Sequence, residues 1–132
     1  MEESKTAQKE GQERTSALLR RLENAGCSVG EALERVFGDE EFLEEMILAF
    51  LEDPMFGDLE NAMEEGRADA AFAAAHTLRG AALTLGLLPV GMPAGRLTEF
   101  LRGTDEIPEN ARQTFAELLE GLDAVRGAAG AD

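Results

Sequence analysis

Apolar residues recur at steps of three and four along most of this chain, the spacing of one face of an α-helix. One stripe follows Asp39, a residue suited to cap a helix N-terminus, and ends before the helix breaker Pro54. Its inward positions are Leu43, Met46, Ile47, Phe50 and Leu51. Another stripe starts after Pro108, which suits an early helical position. Its inward positions are Ala111, Phe115, Leu118, Leu119, Leu122 and Val125.

Shorter stripes predict further helices in the first half of the chain. Two of them, ending near Gly26 and at Gly38, are expected to cover the rest of the fold. Their apolar positions are Leu18, Leu19 and Leu22 in one, and Leu33, Val36 and Phe37 in the other. A third segment runs from about Phe56 to Glu65 and closes at Gly66. Its inward positions are Leu59, Ala62 and Met63.

The second half of the chain is predicted to contain two connections. Residues Leu87–Pro93 combine helix breakers with apolar side chains, so a packed connection is expected there. A helix with inward Leu97, Phe100 and Leu101 follows, and a loop is expected over Gly103–Pro108. Long stripes joined by short loops favour an all-α fold, built as an antiparallel helical bundle.

One further helix carries the only histidine of the chain, His76. At about 100° of rotation per residue, one of its faces is apolar, with Ala74, Leu78, Ala81 and Leu85. The opposite face collects Asp69, Phe72, His76, Arg79, Gly80 and Leu83. Because the apolar face must pack on a core, the imidazole is predicted to point to solvent, and Asp69 is placed to help start the helix.

His76, Arg79 and Gly80 together predict a phosphoryl acceptor. At pH 7 an exposed imidazole is largely neutral and keeps a free lone pair on one nitrogen, so it can act as a nucleophile. The guanidinium at i+3 shares the same helix surface, and its fork of N–H donors suits phosphoryl oxygens. A glycine inside a helix lowers its stability by up to about 1 kcal/mol relative to alanine. The close approach of another group would explain why Gly80 occupies this position.

The run His76–Ala82, followed by Gly86, resembles the signature of histidine-containing phosphotransfer (HPt) domains of two-component phosphorelays. That signature is a histidine, any residue, leucine, lysine or arginine, glycine, two small residues and a later glycine. The resemblance extends upstream through Gly66–Asp69 and the helix after Gly38, and covers about residues 29–126. It departs at Leu97-Thr98-Glu99, where the family commonly has a Leu-Glu pair.

The resemblance implies a four-helix bundle with additional short N-terminal helices. It also implies transfer between proteins, in which His76 accepts a phosphoryl group from a response-regulator receiver domain, including one of a hybrid sensor histidine kinase. A second receiver then removes the group. The receiver is expected to supply an acidic pocket and Mg²⁺, while this chain brings no cofactor and no kinase activity. Arg79 would steady the phosphoryl oxygens and Gly80 would keep the approach open.

The same face predicts a docking surface made of Asp69, Phe72 and Leu83. Exposed apolar residues beside a reactive polar group suggest a protein partner rather than a closed pocket. The alternative is that neighbouring helices or loops cover Phe72, Leu83 or both. We expect the protein to act as a monomer.

The net charge of −15 limits the choice of partners. Both lysines, Lys5 and Lys9, lie near the N-terminus, and from Leu22 onward seven arginines stand against 23 acidic residues. Such a surface repels phosphate backbones and anionic lipids, so neither a nucleic acid nor a membrane is expected as a partner. Acidic runs such as Asp39–Glu41 match neither an EF-hand loop nor a Glu-x-x-His pair, so they are interpreted as solvated helix faces without a metal.

Cysteine usage and the N-terminus both indicate a cytoplasmic protein. The single Cys27 cannot form an internal disulfide, and there is no cysteine or histidine cluster for zinc. No apolar run approaches the roughly 18 residues that span a membrane, and Met1–Lys5 lacks the pattern of a secretory signal. We expect a tail over residues 1–13, one domain over 14–126 and a frayed end over 127–132.

Two other functions remain open at the level of sequence. The phosphoacceptor helix of a sensor histidine kinase usually has an acidic residue directly after the histidine and a Thr-Pro or Asn-Pro shortly beyond. Here Thr77 follows His76, Gly80 stands later, and no glycine-rich nucleotide-binding domain is present. The other alternative is a non-catalytic adaptor bundle that binds a signalling partner and in which His76 has lost its role.

Overall fold

A computed structural model describes residues 16–130, and these residues are helical with short connecting loops. The helices are α1 (Ala17–Asn24), α2 (Val29–Arg35), α3 (Glu40–Leu51), α4 (Met55–Glu65), α5 (Ala68–Thr84), α6 (Leu88–Leu101) and α7 (Glu109–Gly130). No strand occurs among the described residues, and the all-α prediction is confirmed. The predicted tail, residues 1–13, lies outside the described residues, as do residues 131–132.

The long helices pack side by side around one apolar core. The most extensive contact is between α5 and α6, followed by those of α6 with α7 and of α4 with α5, while α1 packs on α7. Short loops join these consecutive neighbours, so they run antiparallel, as the sequence predicts. The largest side chains without solvent contact are Leu19, Leu22, Leu43, Ile47, Leu59, Leu78, Leu87, Leu97, Leu101 and Leu118. Burial of such side chains is the main stabilising contribution to the bundle.

Polar side chains and a glycine define where individual helices begin and end. The Asp39 carboxylate accepts a hydrogen bond from the Phe42 backbone N–H at 3.0 Å, which confirms the predicted cap of α3. Ser16 caps α1 in the same way through the Leu19 N–H at 3.1 Å. Gly66 ends α4 in the left-handed conformation, with φ at 70°, where a side chain would be strained.

Three helix C-termini are bound by arginines that belong to other helices. None of α3, α5 and α7 has a basic residue in its own last turn. Instead, Arg35 donates to the Leu83 and Thr84 carbonyls (3.2 and 2.7 Å), Arg126 to Leu51 (2.8 Å) and Arg21 to Ala128 (2.6 Å). A guanidinium there satisfies carbonyls that lack a helical partner and complements the negative end of the helix dipole.

The predicted packed connection over Leu87–Pro93 is wrong, because α6 begins at Leu88 and continues through Pro93. Pro89 occupies the second helical position, where a missing N–H costs nothing. Pro93 removes one internal hydrogen bond, the one that would end on the Pro89 carbonyl. That carbonyl lies directly against Gly121 of α7, so tertiary packing overrides the breaker signal.

Two further expectations also differ from the structure. The predicted fraying from Gly127 is wrong for residues 127–130, since α7 reaches Gly130 and Ala129 is buried against the core. Phe37 was expected on an inward face, yet it is 98% exposed and has φ at 56°. α2 ends at Arg35, so the chain leaves its helical path before Phe37.

Candidate functional site

The surface of α5 has a buried face and an exposed face. The buried positions are Ala71, Ala74, Ala75, Leu78 and Ala82. Asp69, His76, Arg79 and Gly80 are exposed on the other side. The small side chains of the buried face allow neighbouring helices to approach closely, which holds α5 rigidly. The imidazole of His76 is therefore presented to solvent from a well-packed helix.

Both ends of α5 are fixed by polar contacts. Asp69 lies in the first turn, where its carboxylate accepts a hydrogen bond from the Ala70 N–H at 2.8 Å. A negative charge there complements the positive end of the helix dipole. At the other end, Arg35 of α2 binds two terminal carbonyls of α5. These contacts limit fraying of the helix that carries His76.

The imidazole of His76 lies parallel to the ring of Phe72, one turn earlier on α5. The two ring centroids are 6.0 Å apart and the ring planes differ by 4°. The Arg102 guanidinium carbon lies 5.3 Å from the Phe72 centroid. Arg102 is in turn bound to the Glu99 carboxylate at 3.1 Å. Three side chains in contact, those of Glu99, Arg102 and Phe72, therefore connect the end of α6 to His76.

Arg79 extends from α5 across the surface of α6. A Cβ added at Gly95 would come within 3.1 Å of the Arg79 Nε, so the arginine lies over the space that this glycine leaves. Among residues 16–130, Arg79 forms neither an ion pair nor a hydrogen bond. The hydrogen bond and charge of Arg102 lower the pKa of Glu99, and the charge of Arg79 adds to this effect. Arg79 is therefore a cation beside the histidine whose fork of donors is available to an anion.

Gly80 leaves the surface beside His76 open. A Cβ added there would have no neighbour within 4 Å. The glycine also borders a groove of about 480 Å³ between α3 and α5, together with Met46, Phe50 and Leu85. The open surface therefore continues from the histidine into an apolar groove.

The prediction that Phe72 and Leu83 are exposed requires correction, because both are partly buried. Leu83 fills the space that Gly91 leaves on α6, where an added Cβ would lie 2.5 Å from the Leu83 Cδ2. Phe72 packs against the core cluster and beneath Arg102. The backbone of α6 at Gly91 and the Arg102 side chain just after α6 thus cover part of these two residues, which is the alternative that the sequence left open. Asp69 is exposed as expected.

The contribution of α6 to this region was missed at the level of sequence. Gly91, Gly95 and Glu99 follow one another at steps of four, so they share one face of α6, and Arg102 comes directly after Leu101, the last residue of that helix. That face meets α5 around Arg79 and Leu83. The spacing of these residues could have indicated a common helix face. Gly91, however, lies within Leu87–Pro93, the segment that the sequence analysis interprets as a connection.

Outside α5 and α6, the remaining candidate features are a metal site, the thiol of Cys27 and a membrane-spanning helix. Within residues 16–130, no group of three or more histidine, cysteine, aspartate or glutamate side chains is arranged to hold a metal ion. Cys27 is buried, and burial raises the pKa of its thiol to about 11. A thiol in that environment stays protonated and unreactive at neutral pH. No helix of the described part is both long enough and apolar enough to cross a bilayer.

Comparison with known protein families agrees with the geometry around His76. Residues 40–128, about two thirds of the chain, match the model of the Hpt domain. The match starts at α3 and includes all of α4, α5 and α6. Comparisons with curated proteins and with solved structures gave no match. The chain therefore belongs to the Hpt domain family, whose members carry phosphoryl groups in two-component signalling without being kinases.

Proposed function

We propose that this protein accepts a phosphoryl group on His76 from a phosphoaspartyl receiver domain and passes it to a second receiver. The observation that supports this most directly is the exposure of the only histidine on a rigid helix of an Hpt domain. Receiver domains and histidine kinases are the partners of this family in phosphorelays. The donor is either a free receiver or one within a hybrid sensor histidine kinase.

The transfer is a single displacement at phosphorus. The lone pair of the outer ring nitrogen, Nε2, attacks the phosphorus, and a nitrogen–phosphorus bond forms as the bond to the aspartate oxygen breaks. The electrons of that bond leave with the carboxylate. The proton stays on Nδ1, so no general base is required. Transfer to the second receiver is the reverse displacement, in which an aspartate oxygen attacks and Nε2 leaves.

Arg79 and Gly80 support the displacement in different ways. Arg79 is a cation three residues after the histidine, and its donors suit the charge spread over the phosphoryl oxygens. Gly80 has open space where a side chain would stand, so the partner's backbone can approach the imidazole closely. Catalysis in such transfers is mainly positioning and charge neutralisation.

The partner is proposed to bring the metal chemistry and to dock beside His76. Mg²⁺ is held by the acidic pocket of the receiver and neutralises charge on the transferred group. Docking uses Asp69 and the exposed parts of Phe72 and Leu83, and extends into the groove next to Gly80. Apolar residues around a polar reactive centre are typical of protein interfaces. The protein is proposed to act as a monomer in the cytoplasm.

Incubation with a ³²P-labelled receiver and Mg²⁺ tests the function. The wild-type protein should acquire label that is stable to alkali and labile to acid, as expected for a phosphohistidine. His76→Gln should acquire none, and its circular dichroism should show a folded bundle because the side chain is exposed. Wild-type protein that stays unlabelled with a panel of receivers would instead support the adaptor function. Label that persists in His76→Gln would place the acceptor elsewhere.

A further inference from the structure

Phe72 and His76 form a parallel aromatic pair that the phosphoacceptor role alone does not require. Residues four apart on a helix lie one above the other, so the pair is possible wherever an aromatic residue precedes a histidine by one turn. Here the planes differ by only 4° at a centroid distance of 6.0 Å. That distance falls within the range of favourable aromatic pairs. The imidazole therefore has a preferred ring plane before any partner arrives.

Phe72 is itself held in place from a second helix. Its ring packs against the apolar core on one part of its surface and contacts the Arg102 guanidinium at 5.3 Å. Arg102 is anchored by the Glu99 carboxylate, one turn earlier on α6. A cation over an aromatic ring is attracted to the negative face of the ring. The contact thus connects the Phe72 ring on α5 to Arg102, which directly follows α6 and is bound to Glu99 of that helix.

The orientation of an exposed imidazole matters for in-line transfer. The side chain rotates about Cα–Cβ and Cβ–Cγ, and the second of these torsions is broad in histidine. Only orientations in which the Nε2 lone pair points at the incoming phosphorus are productive. A parallel neighbour reduces the range of ring planes that the imidazole samples. The imidazole has then already lost part of its conformational entropy in the free protein, so less is lost during docking.

We infer that Phe72 is a positioning residue, which orients the His76 imidazole for phosphoryl transfer, and that Arg102 keeps Phe72 in place. The inference rests on the proposed function and adds to it a determinant outside the His76–Gly80 segment. Phe72 does not touch the phosphoryl group in this scheme. It acts through the population of reactive imidazole orientations.

Nuclear magnetic resonance of the imidazole tests the orientation directly. Because the chain has a single histidine, both imidazole carbon-bound proton signals belong to His76. The ring current of Phe72 should displace these signals in the wild type. Phe72→Leu should return them towards free-histidine values, and Phe72→Tyr should keep them displaced. Unchanged signals in Phe72→Leu would show that the stack is not populated in solution and would overturn the inference.

The rate of transfer tests the consequence for function. Phosphoramidate is a small donor that reaches the imidazole without protein docking, so it separates orientation from partner binding. Phe72→Leu should lower the labelling rate of His76 by roughly two- to tenfold, the range that loss of one aromatic pair implies. Phe72→Tyr should restore it, and Arg102→Gln should lower it by a smaller factor. Phe115→Leu, a loss of another partly buried phenylalanine on α7, is the matched control and should label at the wild-type rate.

The possible results separate this inference from the proposed function. Wild-type protein that takes no label from phosphoramidate or from any receiver overturns the function, and the positioning role falls with it. Wild-type protein that labels at the same rate as Phe72→Leu leaves the function standing and overturns the positioning role. If the labelling rate of His76 fell equally in Phe72→Leu and Phe115→Leu, the effect would come from general packing, and the positioning role of Phe72 would also be overturned.

Discussion

The carbonyl oxygen of Pro89, in the first turn of α6, lies so close to Gly121 of α7 that no side chain fits between them. Two prolines are involved. Pro93 has no N–H to donate to the Pro89 carbonyl, and that carbonyl faces a residue without Cβ. The interface between α6 and α7 therefore depends on one glycine.

Gly121→Ala should destabilise the bundle by about 2 kcal/mol or more, because the new Cβ would collide with backbone rather than with a flexible side chain. Gly127→Ala on the same helix is the matched control. Nothing lies within 4 Å of a Cβ there, so the helix should gain up to about 1 kcal/mol. Urea denaturation measures both free energies of unfolding. Equal stability of the two variants would contradict the contact.

Gly80→Ala should stabilise α5 to a similar extent as Gly127→Ala stabilises α7, since both sites are helical and open. Its effect on function should be the opposite. The added methyl group lies beside His76, so transfer from a phosphorylated receiver should slow while labelling by phosphoramidate changes little. Stopped-flow transfer and denaturation together provide the test. Unaltered transfer from the receiver would remove the argument that this glycine serves partner access.

Arg79→Ala should slow transfer by roughly ten- to a hundredfold, as expected for loss of one charge-assisted hydrogen bond to the phosphoryl group. Stability should change by less than about 0.5 kcal/mol, because the side chain is exposed and unpaired among residues 16–130. Arg112→Ala removes another exposed arginine and should transfer normally. If Arg79→Ala and Arg112→Ala transferred the phosphoryl group at equal rates, Arg79 would have no role in the displacement at phosphorus.

Glu99 makes a contribution to stability that depends on pH. Arg102 lowers the pKa of this carboxyl from its ordinary value of 4.5, so the unfolded chain binds more protons than the folded one as the pH falls. The stabilisation is present above pH 4.5 and is lost as the pH falls through the folded value. Glu99→Gln should therefore be less stable than the wild type at pH 7, with a gap that narrows in acid.

Because Glu99 is exposed, the effect should be small and should decrease with added salt. Glu60→Gln is the control, since Glu60 is an exposed glutamate of α4 that forms no ion pair among residues 16–130. Denaturation curves at several pH values measure both variants. A gap for Glu99→Gln that stays constant from pH 7 to pH 3 would contradict the lowered pKa.

The chemistry on α5 was predictable from the sequence because it depends on local periodicity. One helix carries His76, Arg79 and Gly80, so rotation about its own axis decides which of them reach solvent. The cap at Asp39 was predictable for the same reason, since it involves an N–H only three residues away. Such features need no knowledge of which helices are neighbours.

The contacts made by α6 were not predictable in this way. Pro93 stands inside the helix, and the Pro89 carbonyl that it leaves without its helical donor lies against Gly121, 32 positions after Pro89. The burial of Leu83 likewise requires knowing that Gly91 lies opposite it. The end of α7 depends on Arg21, more than a hundred residues away. In each case a distant contact outweighs the local propensity.

The arginines that bind helix C-termini also determine how the protein should respond to ionic strength. In a chain of net charge −15, dissolved salt weakens repulsion among the many carboxylates. The acceptors of Arg21, Arg35 and Arg126 are neutral carbonyls, so salt competes much less with these bonds than with an exposed ion pair. The protein should accordingly melt at higher temperature in concentrated sodium chloride than at low ionic strength.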